Sequence, residues 1–119
     1  MEKTLTIDGK QVRFKSTAAT TYRYKTQFGR DFFADLLKMY PLMQLQDKGV
    51  DTDNLDYQTL QHIDFEVLYN IVWVLAKTAD KSIPEPEEWL DGFEEFPIMD
   101  ILPELQELIA KSMGTSKKK

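Results

Sequence analysis

The sequence predicts an α+β fold that is mainly α-helical, with an N-terminal β-hairpin packed on a helical body around a buried central helix at about residues 64–80. Three observations carry this expectation. Asp8-Gly9 separates two short runs in which apolar and polar residues alternate. The run from Asp64 to Asp80 is apolar around most of its circumference. Apolar residues at steps of three and four recur on both sides of that run, punctuated by Pro and Gly, which is the spacing of amphipathic helices.

The hairpin comes first. Leu5 and Ile7 precede Asp8-Gly9, and Val12 and Phe14 follow it, each alternating with polar neighbours. A two-residue hairpin turn needs positive φ, which Asp-Gly supplies at low cost. A lone hairpin is marginal in water, so its apolar face must lie on the helical body. Ser16 or Thr17 is placed to cap a helix over about 18–28, and Gly29 stands where a left-handed C-terminal residue is wanted. Asp31 restarts a helix running to about Tyr40, where Pro41 discourages continuation. Residues 44–58 are polar and read as a surface loop, and Gln58 to Ile63 as a short helical turn.

In the central run, Phe65, Leu68, Val72, Leu75 and Ala79 form one stripe, and Val67, Ile71 and Val74 a second beside it. Tyr69, Trp73 and Ala76 form a third, and a helix apolar on three sides belongs inside a protein. Asp64 is placed to cap it. Ser82-Ile83-Pro84-Glu85-Pro86 is an extended linker, and Pro86 suits the first position of a short helix carrying Trp89 and Leu90 and ended by Gly92. Pro97 opens a last stripe of Ile98, Ile101, Leu102, Leu105, Leu108 and Ile109. Pro103 removes a backbone donor within it, so a kink or split is expected there, with Pro103 starting the second half. Residues 1–113 are expected to form one globular domain, and 114–119 a flexible Lys-rich tail.

Charge is unevenly spread. Residues 1–48 hold nine Lys/Arg and five Asp/Glu, and residues 49–119 hold six and fifteen, giving +4 and −9. Nine acids and no base lie between Ser82 and Ala110. This balance argues against nucleic acid, whose phosphates require clustered cations. It favours either a solvated acidic face, a basic partner, or head-to-tail association of copies. Tyr22, Tyr24 and Phe28 beside Arg23, Lys25 and Arg30 are read as core-packing aromatics rather than base-stacking ones. No run is long and apolar enough at its ends for a membrane span, and the first residues lack the apolar core of a signal peptide, so a cytoplasmic protein is expected.

Signals of chemistry are weak. Cys is absent and His62 is the single His, so a zinc site would need carboxylates in nearly every position. Asp51 and Asp53 begin like a calcium loop, but Leu55 takes the third ligand position, Asp56 the glycine position and His62 that of the bidentate Glu. No glycine-rich phosphate loop is present, and Glu87/Asp91 reads as a solvated pair rather than an acid–base dyad. No catalytic residue, metal site or cofactor is therefore expected. Binding is. Phe93, Phe96, Ile98 and Met99 form an apolar cluster among acids, a composition that can dock a partner helix. The plainer alternative is that all four close the core.

Several segments together resemble the tail assembly chaperones of long-tailed bacteriophages and prophages of Gram-positive bacteria. They are Ile7-Asp8-Gly9-Lys10 with Val12 and Phe14, the run from Tyr22 to Phe33, the run from Trp73 to Asp80, Ile83-Pro84-x-Pro86-x-x-Trp89-Leu90, and Phe93-x-x-Phe96-Pro97. Their order and spacing carry the likeness, which covers most of the chain outside 44–58. The resemblance implies a protein that binds the long, helical tape measure protein, keeps it from aggregating, and yields it to tail tube subunits. It implies action in the cytoplasm of the bacterial host and absence from the finished virion. Many such proteins are also made in a longer form by translational frameshifting; Lys117-Lys118-Lys119 is compatible with a slippery adenine run. The resemblance assigns no partner contact to particular residues. The competing expectation is a head–tail connector or tail-end subunit retained in the particle.

Overall fold

A computed structural model describes residues 1–39 and 64–112. Tyr40, the expected 44–58 loop and 58–63 turn, His62 and the Lys-rich tail lie outside them. The described chain is α+β and mainly helical. Strands β1 (Glu2–Ile7) and β2 (Lys10–Lys15) form a two-stranded antiparallel sheet, followed by helices α1 (Ala19–Phe28), α2 (Phe32–Leu37), α3 (Phe65–Ala79), α4 (Pro86–Asp91), α5 (Ile98–Glu104) and α6 (Gln106–Ser112).

The hairpin register runs from Glu2 opposite Lys15 to Ile7 opposite Lys10. It is set by its turn: Asp8 and Gly9 hold φ of 55° and 75°, as a tight hairpin demands. The alternation then puts Leu5, Ile7, Val12 and Phe14 on one face, against the core, with Ile7 and Phe14 fully buried. β2 lies on α3.

Helix α3 is the centre. Asp64 caps it by accepting from the Val67 N–H at 3.4 Å, and Val67, Leu68 and every residue from Asn70 to Ala76 are buried. Phe65, at the start of the first predicted stripe, is 37% exposed and adds little to the core. Trp73 is buried, and its indole N–H donates to the Pro84 carbonyl at 2.9 Å, which fixes the extended linker against the helix.

Helix α1 ends at Gly29, in the left-handed region at φ 68°. The helix begins at Ala19, preceded by Ala18, which makes no side-chain cap. Of the two expected capping residues, Thr17 serves the helix start: its Oγ1 accepts from the Ala19 N–H, and its N–H donates to Thr20 Oγ1. Ser16 instead meets Ser112 Oγ at 2.9 Å, joining the end of the hairpin to the end of α6. Asp31 caps α2 through the Phe33 N–H at 2.8 Å, but this helix is shorter than expected, ending at Leu37.

The C-terminal stripe is buried from Ile98 to Ile109 as its spacing predicts. The break within it is displaced from the expected position. Pro103 sits inside α5, and the chain breaks at Leu105, whose N–H turns back to the Leu102 carbonyl at 3.0 Å. Pro103 has no N–H to give to the preceding turn, and the helix closes just after it, not before it.

Candidate functional site

The cluster singled out from the sequence is built by α4 and the segment that follows it. Pro86 fixes the first position of α4, which points Trp89 inward to 8% exposure. Gly92 ends the helix with φ −77°, and a Cβ there would lie 3.3 Å from the Trp89 carbonyl. The chain then folds Phe93 and Phe96 back over Trp89. Ring centroids lie 5.3 Å apart for Trp89–Phe93, 5.5 Å for Trp89–Phe96 and 5.2 Å for Phe93–Phe96, all near edge-to-face. Tyr69 of α3 meets Phe96 at 5.9 Å. Edge-to-face contacts of this kind add to what burial alone supplies.

The hairpin tip holds this segment in place. Asp8 Oδ2 accepts from the Glu94 N–H at 2.9 Å, and the Lys10 ammonium donates to the Gly92 carbonyl. The same ammonium lies 4.9 Å from the Phe93 ring centroid, within cation–π reach. The turn that closes the hairpin thus also clamps a segment more than eighty residues away.

Of the four predicted residues, Phe93, Phe96 and Met99 are half-buried at the edge of the core. Ile98 is 6% exposed and belongs to the core itself, so the surface open to a partner comes from the other three. Glu87, Glu88, Asp91, Glu94, Glu95 and Asp100 are exposed around it. The result is a small apolar surface in a negative field. It can accommodate an apolar stripe flanked by cations. Among the described residues no group of three His, Cys, Asp or Glu is placed to hold a metal ion.

Two features depart from the sequence-based expectation. Tyr22, expected to pack on the core, is instead 75% exposed, and Phe33 and Leu37 of α2 are 55% and 61% exposed. The stripe rule places a residue on a face but does not say whether another element covers that face. The second feature is a buried polar network. Asp35 is 2% exposed and accepts from the Tyr24 hydroxyl and from two nitrogens of Arg30. Its spacing from Arg30 and Tyr24, five and eleven residues, matches no helical pairing rule.

Among the described residues no helix is long and apolar enough to cross a membrane. No protein-family model matches the chain, and no curated protein or solved structure matches it.

Proposed function

We propose that this protein is a phage tail assembly chaperone that binds the tape measure protein and keeps it soluble until the tail tube polymerises around it. It works by binding alone, without catalysis or cofactor. It acts in the cytoplasm of the infected or lysogenic bacterium, yields to tail tube protein, and is absent from the mature virion.

The observation that carries this reading is the half-buried Phe93–Phe96–Met99 surface with its acidic rim. A tape measure protein exposes long apolar helical stripes until it is sheathed, and a chaperone must cover them reversibly. A mixed aromatic and thioether surface is adaptable, and its limited area keeps affinity moderate. The segments that carry the resemblance also meet one another. Phe28 packs on Trp73 with centroids 5.6 Å apart, and Trp73 holds the Pro84 carbonyl.

Co-purification with the tape measure protein tests this. Phe96→Asp and Met99→Asp place a carboxylate on the surface and are expected to weaken binding by at least about tenfold, or 1.4 kcal/mol. Undiminished recovery with both substitutions, in a protein whose circular dichroism is unchanged, would remove the surface. Mass spectrometry of purified virions distinguishes the competing structural role: a chaperone is absent or in trace, whereas a connector is present in fixed copy number.

A further inference from the structure

We propose that the face of α1 around Tyr22 is a second docking surface, which takes an acidic amphipathic helix of a partner protein. The inference stands independently of the tape measure reading.

Tyr22 is 75% exposed and forms the ridge between two clefts. One, of about 530 Å³, is lined by Thr21, Tyr22, Lys25, Asp31 and Phe33. The other, of about 320 Å³, is lined by Tyr22, Arg23, Thr26, Trp73 and Lys77. Each therefore has an aromatic wall on either side or beneath. A ridge with an apolar furrow on both flanks matches a helical stripe whose residues at i, i+3 and i+4 straddle it.

The charge on the rims selects the helix. Arg23, Lys25 and Lys77 form no ion pair with a carboxylate among the described residues. Arg23 rests on the neutral Thr78 Oγ1 at 3.1 Å, and Lys77 donates to the carbonyls of Lys81 and Ile83. Asp31 and Glu85 accept from the neutral Phe33 N–H and Gln27 amide and keep their charge, so the three cations of this face meet two carboxylates and leave it net positive. An incoming helix with Glu or Asp beside its apolar stripe would pair the three cations as it covers Tyr22 and Phe33. A helix flanked by Lys would bring like charges together in a desolvated contact, which costs affinity. The face is thus the opposite in sign of the acid-rimmed surface at Phe93.

The test is an NMR titration of the ¹⁵N-labelled full chain with designed amphipathic peptides of roughly 18 residues, about five helical turns. One carries Leu in a stripe flanked by Glu, the second the same stripe flanked by Lys, and the third Ser in place of Leu. The Leu/Glu peptide is expected to shift amides of α1, α2 and the end of α3. Its affinity should exceed that of either other peptide by at least about tenfold and fall as salt rises from about 50 to about 500 mM. Lys25→Glu with Lys77→Glu, and separately Tyr22→Ser, should each weaken it at least about tenfold while the rest of the spectrum holds. Three results would overturn the proposal. The Leu/Glu peptide fails to bind, or binds with its shifts confined to 89–99. Its affinity is unmoved by the substitutions. Or the free protein sediments as a dimer that Tyr22→Ser returns to monomer, which makes a second copy the occupant.

Discussion

The Tyr24 hydroxyl donates to Asp35 Oδ2 at 2.7 Å, and both side chains are buried. Arg30 places Nε on Oδ2 and Nη2 on Oδ1, each at 2.7 Å, and the Lys38 ammonium lies 3.8 Å from Oδ1. A carboxylate held in this way keeps its charge. The hydrogen bonds from Arg30, more than the opposing effect of burial, hold the Asp35 carboxyl below the usual carboxylate range. Burial first, then the bond to Asp35, pushes the Tyr24 hydroxyl above its ordinary value. Through Tyr24 the network reaches the rings of Phe28 and Phe32, so it fixes α2 against α1 and the pair against Trp73.

Tyr24→Phe removes one donor while Arg30 still serves Asp35. The expected cost is about 1 kcal/mol in denaturant unfolding. Asp35→Ala leaves the buried Tyr24 hydroxyl without its acceptor and should cost more, about 1–3 kcal/mol. Equal losses for the two variants would show that the carboxylate does not anchor the network.

Acid should selectively remove what Asp35 contributes. Its folded pKa lies below the unfolded value of about 3.9. The stability it confers is therefore fully present above the unfolded value and is lost as pH falls through the folded one. Melting temperatures of the wild type and of Asp35→Asn should differ by a constant amount above about pH 5 and converge below about pH 4. Parallel profiles down to about pH 2 would contradict the assignment.

Trp73→Ala should cost about 3–5 kcal/mol, the usual loss on emptying a large buried site. Trp73→Phe keeps much of the volume but abandons the bond to the Pro84 carbonyl. It should cost less overall yet loosen residues 82–86, which hydrogen exchange at the Ile83 amide, bonded to the Asp80 carbonyl, would report. A wild-type-like melt for Trp73→Ala would remove α3 as the organising element.

Most of the fold was legible because its elements are local. Asp8-Gly9, the Asp64 cap, Gly29 and Pro86 each act within a few residues of themselves, and the structure uses them as their chemistry dictates. Between Ser16 and Thr17 the sequence left the choice open; Thr17 serves the helix start, while Ser16 makes a long-range bond to Ser112. One local assignment differs: the break lies at Leu105, not at Pro103. Of the cluster that composition singled out, Phe93, Phe96 and Met99 are half-buried at the core's edge, whereas the burial of Ile98 follows from its place in the stripe with Ile101 and Leu102. The clamp from Asp8 and Lys10, and the Asp35 network, join residues whose separation carries no periodic signal.

That clamp is testable by itself. Asp8→Gly keeps the positive φ of the turn and removes the acceptor for the Glu94 N–H, while adding some backbone freedom to the unfolded chain. Combined with Lys10→Met, it should cost about 1–3 kcal/mol and abolish hydrogen-exchange protection at the Glu94 amide. Protection across α3 should be retained relative to global stability. Unchanged exchange at Glu94 would mean that the aromatic contacts of Phe93 and Phe96 hold the segment without help from the hairpin.

The central claim is that this surface binds another chain and does no chemistry. Co-expression with the tape measure gene product tests it most directly. The account predicts that the tape measure protein moves from the insoluble to the soluble fraction and elutes together with this protein in size-exclusion chromatography. A tape measure protein that stays insoluble, or dissolves without co-eluting, would contradict it.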